Sequence, residues 1–240
     1  MIYMPFTVDV KGRNTQFFTV FQPIFDLEEN KLVAVEALSR VSSEENIESI
    51  LRQVSLEGNS RKFTLGLLQE IASICKELPG SIEYLSVNIA MEHMCSRYLC
   101  DDLEGLRREL FKHDIRLMVE LTESQPYPFQ QSSEGKTLLR NIKELQQKGG
   151  LVAIDDYGKG FNVGEAIVSH LMPDVLKIDR EVVQKPNEHK EVWSSVKSLL
   201  NGCKIKVVAE GIENVKDIDF VMNEGIRLCQ GFYLGRPASL

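Results

Sequence analysis

Eight runs of apolar and β-branched residues recur along the 240-residue chain. Most are nearly continuous in hydrophobicity rather than alternating, which is typical of strands that are covered on both faces. We therefore predict eight buried strands. They cover residues 17–25, 31–38, 82–90, 115–123, 151–156, 174–179, 204–210 and 227–234.

Amphipathic segments separate most of these runs and predict helices. These segments cover 46–58, 61–78, 135–150, 191–202 and 214–225. Alternation of strand and helix over eight strands favours an α/β fold of the TIM-type (β/α)8 barrel class. Only residues 26–30 connect the first two strands, and a parallel crossover needs more chain, so we expect the first strand to run antiparallel to the second. We expect one domain over residues 1–240.

Polar side chains follow the apolar residues at the carboxyl ends of these strands, and such ends meet on one rim of a barrel. They are Glu36, Asn88, Glu120, Asp155, Asp156, Lys177, Glu210 and Gln230. Adjacent carboxylates such as Asp155 and Asp156 repel each other, so a cation is the simplest counterweight. The ligands are oxygen atoms, which favours Mg²⁺ or Mn²⁺, with Ca²⁺ as an inert occupant. The number of carboxylates favours two ions, which suit in-line displacement at phosphorus.

Composition narrows the class of partner and the compartment. The net charge of −7 argues against direct nucleic-acid binding through a basic surface. The five cysteines include no CxxC pair and predict reduced, mostly packed thiols in a cytoplasmic protein. The start MIYMPFTVDVKGRN has no basic segment followed by an apolar core, so we expect no leader peptide, and no apolar run reaches about 20 residues, so we expect no membrane segment. We expect the four histidines at the surface and Trp193 packed within a helix.

Eight motifs along the chain match those of a known family, in the family's order. They are FQPIF (21–25), VEALSR (35–40), VNIA (87–90), VELTES (119–124), AIDDYGKGF (153–161), LKIDREVV (176–183), VVAEGIEN (207–214) and CQGFYLGRP (229–237). Together they resemble the EAL domains of bacterial cyclic-di-GMP phosphodiesterases. The resemblance implies a stand-alone EAL domain with the modified TIM barrel and antiparallel first strand. It also implies hydrolysis of cyclic-di-GMP to linear pGpG with Mg²⁺ or Mn²⁺, inhibition by Ca²⁺, and a homodimer.

The same resemblance implies a role for individual residues. The implied metal ligands are Glu36, Asn88, Glu120, Asp155, Asp156 and Glu210. The implied substrate contacts are Gln22, Arg40, Asp179, Gln230 and Pro237. Lys177 and Glu210 are both candidates for the catalytic base, and the sequence does not choose between them. Glu123 resembles the glutamate that braces the loop after the double aspartate.

Two departures from the family pattern lie near the expected site, and two other functions remain as alternatives. The loop reads Tyr-Gly-Lys-Gly-Phe-Asn over 157–162, where the family commonly has Phe-Gly-Thr-Gly-Tyr-Ser. The segment 41–58, beside the expected substrate groove, is shorter than usual. One alternative is therefore a non-catalytic EAL-fold protein that binds cyclic-di-GMP or a regulatory protein partner. Another is an unrelated carboxylate-metal barrel of the enolase type, against which the ordered motifs argue.

Overall fold

A computed structural model describes residues 5–42, 45–202 and 204–240. Within these residues, nine strands form one sheet in chain order. They are β1 (Phe6–Val10), β2 (Arg13–Asp26), β3 (Lys31–Val41), β4 (Tyr84–Ile89), β5 (Arg116–Leu121), β6 (Leu151–Tyr157), β7 (Val175–Ile178), β8 (Lys206–Ala209) and β9 (Leu228–Gln230). Because β2 also pairs with β9, the eight strands β2 to β9 close into a barrel.

The direction of β2 confirms the expectation drawn from its short connection. β2 is antiparallel to both β3 and β9, whereas each neighbouring pair from β3 to β9 is parallel. A tight turn over residues 27–30 joins β2 to β3, with Asn30 in a left-handed conformation at φ +49. The carboxyl ends of seven parallel strands therefore lie on one rim.

The strand boundaries differ from the sequence prediction at both ends of the chain. An N-terminal strand that the apolar pattern does not predict, β1, forms a hairpin with the start of β2, with Phe6 opposite Phe17 and Val10 opposite Arg13. The turn residues Lys11 and Gly12 both have positive φ, as a two-residue hairpin turn requires. The last predicted strand, 227–234, is longer than β9, because the chain turns after Gln230.

The helices cover the outside of the barrel. They are α1 (Ile47–Leu56), α2 (Ser60–Ile74), α3 (Met91–Met94), α4 (Leu99–Phe111), α5 (Ser133–Gln147), α6 (Glu165–Leu171), α7 (Arg180–Gln184), α8 (Lys190–Gly202) and α9 (Val215–Asn223). All five predicted helices are present. No helix was predicted between the strands at 82–90 and 115–123. The structure has α4 there, and its buried face includes Leu99, Leu103, Leu106 and Leu110.

Apolar side chains fill the interior of the barrel, and the polar groups lie at the rim formed by the carboxyl ends of the parallel strands. Residues two apart on a strand point to the same side of the sheet. The side chains two positions before the rim residues therefore point into the barrel. This interior cluster contains Ile24, Val33, Ala34, Tyr84, Met118, Leu151, Ala153, Val175, Val208 and Leu228, all buried. The barrel is therefore closed from below, and the polar side chains lie at its carboxyl end.

Several expectations about single residues can be checked in the same structure. Trp193 is packed as predicted, and its Nε1 donates to the main-chain oxygen of Val182 at 3.0 Å. Cys75, Cys100 and Cys229 are buried and Cys95 is half-buried, and all four are unbridged. Cys203 lies outside the described residues, as do residues 1–4 at the start of the chain and 43–44 of the shortened segment.

One expectation about histidine was wrong. His93 is buried on α3, with its Nε2 3.0 Å from Oδ2 of Asp102 on α4. The partner lies nine positions further along the chain, in a different helix, so no local pattern in the sequence marks the pair. Separately, no helix in the described parts of the chain combines the length and apolar character needed to span a bilayer.

Candidate active site

Lys177 stands at the centre of the carboxylate cluster on the rim. Its Nζ lies 2.8 Å from Asp155 Oδ1, 2.9 Å from Glu210 Oε1, 3.0 Å from Glu120 Oε2 and 3.1 Å from Glu36 Oε2. Its side chain is 1% exposed. The partners come from β3, β5, β6 and the end of β8, so the barrel brings together groups up to 141 positions apart.

Glu36 is the most completely hydrogen-bonded acid of the cluster. Its Oε1 accepts from Nδ2 of Asn88 at 2.9 Å. Its Oε2 accepts from Nε2 of Gln230 at 2.8 Å and from Lys177. Burial alone would raise the pKa of Glu36, but the charge of Lys177 and these hydrogen bonds outweigh it, and the pKa lies below its ordinary value.

The other acids of the cluster have pKa values above their ordinary values. Burial raises the pKa of Glu120, Asp155 and Glu210, and the neighbouring carboxylates raise it further against the charge of Lys177. Burial, followed by the charge of Asp155, raises the pKa of Asp156 to about 8. One ammonium therefore does not balance this set of carboxylates, and the site favours additional positive charge.

The carboxylate oxygens form two groups that share one residue. Oxygens of Glu36, Glu120 and Asp155 lie within 4.8 Å of one another, and so do oxygens of Asp155, Asp156 and Glu210. These five acids carry five formal negative charges against the single charge of Lys177. Two divalent cations would balance the remaining four.

Two buried acceptor atoms indicate where further ligands are available. Asn88 Oδ1 and Glu120 Oε1 are both inaccessible to solvent and have no hydrogen-bond partner among the described residues. An unpaired buried acceptor is costly, and a cation would satisfy it. The donors are all oxygen atoms, so the residues present fit hard divalent cations such as Mg²⁺ or Mn²⁺.

A bulge at the end of β6 explains how two adjacent aspartates can face the same site. The pairing with β7 shifts register between Ile154 and Tyr157. Asp156 lies in this bulge with φ +46, a left-handed conformation that non-glycine residues rarely adopt. The bulge turns Asp156 away from the alternation of a regular strand, so its carboxylate reaches those of Asp155 and Glu210.

Glu123 contacts the loop that follows the double aspartate. Its main-chain oxygen accepts from the amide of Phe161 at 3.1 Å. A Cβ atom at Gly160, which has φ +52, would lie 2.5 Å from that oxygen and 3.0 Å from the Cγ atom of Glu123. The contact at this point therefore requires a glycine, and Glu123 packs against the loop through its main chain and its side-chain stem.

A groove of about 180 Å³ opens beside the carboxylate cluster. It is lined by Gln22, Glu36, Arg180, Glu210, Gly211, Glu213, Gln230, Gly231 and Phe232. Gln22 also donates from Nε2 to the main-chain oxygen of Gly235 at 3.3 Å. Two of the predicted substrate contacts, Gln22 and Gln230, thus face the same groove as two of the predicted metal ligands.

The other three predicted substrate contacts have different partners. Arg40 donates from Nη1 to the main-chain oxygen of Ser39 at 2.9 Å. Asp179 caps α7 by accepting from the amide of Glu181. Pro237 lies in the C-terminal segment that pairs with β2 through Ala238. Within the described residues, none of the three has a hydrogen bond or ion pair to the carboxylate cluster.

Sequence reasoning missed three other polar groups near the site. Arg180 and Glu213 form a 2.6 Å ion pair, and both line the groove. They belong to the quoted motifs LKIDREVV and VVAEGIEN, so the motifs contained a signal that was not used. Asn162 is fully buried, and the sequence marks it only as the residue that stands where the family commonly has serine.

A closed α/β barrel with one antiparallel strand and a carboxylate cluster on its rim is the class of protein that the fold and the site define. Residues 8–237 match the EAL domain, and this chain belongs to that family. The probable cyclic di-GMP phosphodiesterase PdeG of Escherichia coli (strain K12) is 25% identical over 237 residues, which cover 94% of this chain and 45% of PdeG. This chain thus spans about half the length of the curated relatives it matches.

Solved structures of two EAL proteins share the fold. A standalone EAL protein from Vibrio cholerae O395, in its c-di-GMP-bound form, superposes with a TM-score of 0.73 at 22% identity. The match covers 96% of this chain and 94% of that protein. The manganese and cyclic-di-GMP complex of Klebsiella pneumoniae BlrP1 gives a TM-score of 0.75 at 24% identity, covering 98% of this chain and 59% of BlrP1. At these identities the likeness establishes the fold.

Proposed function

We propose that this chain is a metal-dependent phosphodiesterase that hydrolyses cyclic-di-GMP to linear pGpG. The observation that carries the proposal is the pair of carboxylate groups that share Asp155 on the open rim. The names of the relatives point to the same nucleotide. Hydrolysis adds one water across one phosphodiester bond, so the site must hold the water, the phosphate and the leaving 3′ oxygen together.

Two hard divalent ions, Mg²⁺ or Mn²⁺, fit the available donors. Glu36, Asn88 and Glu120 would hold one ion, Asp156 and Glu210 the other, and Asp155 both. Ions bound there would activate a water and neutralise the phosphate oxygens. Ca²⁺ would occupy the same oxygen donors without supporting turnover, because its coordination is larger and more flexible.

The protein's own groups divide the remaining tasks. Lys177 faces four carboxylates as an ammonium, which has no lone pair to accept a proton, so it neutralises the site and orients its ligands. Glu210 lines the groove and keeps partial exposure, so it is the group that can accept the proton of the attacking water. Gln22 and Gln230 bind the substrate along the groove, and Arg40 binds a phosphate.

Activity, rather than binding alone, is favoured by the complete ligand set. The alternative of a nucleotide-binding or partner-binding EAL protein without catalysis would tolerate loss of an acid or of Lys177, and this chain retains all of them. Following the family resemblance, we place the enzyme in the bacterial cytoplasm as a homodimer. Light scattering coupled to size-exclusion chromatography tests the assembly.

The function is tested by incubating the purified chain with cyclic-di-GMP and Mn²⁺ and measuring pGpG by chromatography. Glu36→Gln should lower the rate by more than about 100-fold, because it removes the charge of a ligand. Glu83→Gln makes the same chemical change on an exposed residue at the opposite end of the barrel and should leave the rate unchanged. Nucleotide binding without pGpG at any metal concentration would establish the non-catalytic alternative.

A further inference from the structure

Asn162 joins three segments of the chain beneath the carboxylate cluster. Its Nδ2 donates to the main-chain oxygens of Leu121 at 3.0 Å and of Asp155 at 2.5 Å. Its Oδ1 accepts from the hydroxyl of Tyr127 at 2.7 Å. The side chain is 0% exposed, so the end of β5, the end of β6 and the segment before α5 are tied at one buried amide.

The main chain of Asn162 closes the loop that begins at the double aspartate. Its oxygen accepts from the amide of Gly158 at 2.8 Å, and its amide donates to the oxygen of Lys159 at 3.0 Å. Within this loop Asp156 is held at φ +46. A left-handed aspartate is energetically unfavourable on its own and persists only where its surroundings fix it.

The tied positions lie next to three of the proposed metal ligands. Leu121 directly follows Glu120, and the oxygen of Asp155 belongs to the residue that both carboxylate groups share. Asn162 does not line the groove, and within the described residues none of its side-chain hydrogen bonds goes to a carboxylate. Any effect it has on the ions is therefore exerted through the positions of these ligands.

The chemistry requires an amide at this position. The amide presents two hydrogens on one nitrogen and an acceptor oxygen, and all three are used. The serine that the family commonly has in this loop would offer one hydrogen, so it could not bridge both carbonyls. It would also leave the hydroxyl of Tyr127 without this acceptor.

We propose that Asn162, oriented by Tyr127, is a positioning residue that sets the spacing of Glu120, Asp155 and Asp156 and thereby the affinity of this chain for divalent ions. An ion held by Asp155, Asp156 and Glu210 would depend on Asn162 most, because Asp156 lies inside the loop that Asn162 closes. This inference rests on the proposed function only in taking the rim as a divalent-ion site.

Mn²⁺ binding without nucleotide tests the proposal directly. The free Mn²⁺ signal in electron paramagnetic resonance gives the number and affinity of bound ions on the full chain. Asn162→Ala should weaken one of the two affinities about tenfold, within the range seen when residues that orient metal ligands are removed. Tyr127→Phe should weaken it less, and the effect of Tyr127→Phe should vanish in the Asn162→Ala background, because the two act through one hydrogen bond.

Asn141 supplies a matched control. It is a buried asparagine whose Nδ2 also donates to two main-chain oxygens, those of Met94 and Ser96, both at 2.8 Å. Asn141→Ala and Asn162→Ala should both lower thermal stability in the presence of EDTA, but Asn141→Ala should leave Mn²⁺ affinity unchanged. If the role of Asn162 were purely structural, Asn162→Ala and Asn141→Ala would change thermal stability and Mn²⁺ affinity in the same way.

The outcomes separate this inference from the proposed function. Unchanged Mn²⁺ affinity in folded Asn162→Ala, or an equal loss in Asn141→Ala, would overturn the positioning role. If Asn162→Ala does not fold, the Mn²⁺ affinities of Asn162→Ser and Tyr127→Phe decide the question, and parent-like affinity in both overturns the role. A parent chain that binds Mn²⁺ and makes no pGpG would end the proposed function while leaving the positioning role intact.

Discussion

Replacing Lys177 with methionine should destabilise the metal-free protein more than any exposed lysine replacement. Methionine keeps the unbranched shape of the side chain and removes the charge that contacts four carboxylates at 2.8 to 3.1 Å. Removing one partner of a buried ion pair costs about 3–5 kcal/mol. For a chain of this size about 1 kcal/mol shifts the melting temperature by about 2–4 °C, so we expect a loss of roughly 10 °C.

The loss should grow as the pH rises. Burial and mutual repulsion raise the pKa of Glu120, Asp155 and Glu210, and raise that of Asp156 to about 8. Between the ordinary carboxyl pKa and these raised values, the folded state binds protons that the unfolded state has released, so stability falls with increasing pH. Without Lys177 the carboxylates have only protons to relieve their repulsion, and the deficit at pH 8 should exceed that at pH 6.

Thermal unfolding followed by circular dichroism, in EDTA at pH 6 and pH 8, measures both effects. Lys197→Met is the control, because Lys197 lies 2.7 Å from Glu224 but its side chain is 56% exposed. Exposed pairs contribute little, and we expect its melting temperature to change by less than about 2 °C. If the melting temperature of Lys177→Met at pH 8 also lay within about 2 °C of that of the parent, the ammonium would not be what holds these carboxylates together. Excess Mn²⁺ should recover much of the loss.

Two further predictions concern the proposed phosphate contact of Arg40 and the buried His93. Arg40→Lys should raise the KM for cyclic-di-GMP about tenfold in steady-state kinetics with kcat little changed, because lysine lacks the planar fork that grips a phosphate; a kcat loss with constant KM would contradict this. Burial lowers the pKa of His93 beside Asp102, so below about pH 6.5 the unfolded chain gains a proton that the folded chain does not, and stability falls. Urea unfolding at pH 7.5 and 5.5 should show a smaller pH effect in His93→Gln than in the parent, and equal effects would count against the assignment.

The barrel and the rim could be predicted because both follow from one-dimensional patterns. Buried parallel strands are continuously apolar, and a polar residue that ends such a strand can only lie at the carboxyl rim. The short connection after Asp26 fixed the direction of β2 for the same kind of reason. A signal for the hairpin of β1 and β2 is also present, because Lys11 and Gly12 can form a turn between two segments that alternate apolar and polar residues. The segment before the turn is too short to be predicted as a strand from its apolar pattern alone.

Other features of the site depend on distances that no sequence pattern carries. The contact of Lys177 with Glu36 spans 141 positions, and the bond from Tyr127 to Asn162 spans 35. The left-handed conformation of Asp156 arises from a bulge whose register is set by β7. The motifs indicated which residues form the carboxylate cluster, whereas the distances between them and their backbone conformations required the three-dimensional structure.

The division of the barrel interior explains how the fold tolerates such a site. Carboxylates that raise one another's pKa are a source of instability, and the chain confines them to the rim, above a layer of buried apolar residues that includes Ile24, Met118 and Val208. That layer packs without any cation, so the barrel can form before the ions bind. Ions bound at the proposed site would relieve the repulsion, and a ligand that binds only the folded state stabilises it increasingly as its concentration rises. The same repulsion that weakens the metal-free rim would thus give the folded chain the affinity for divalent cations that we propose.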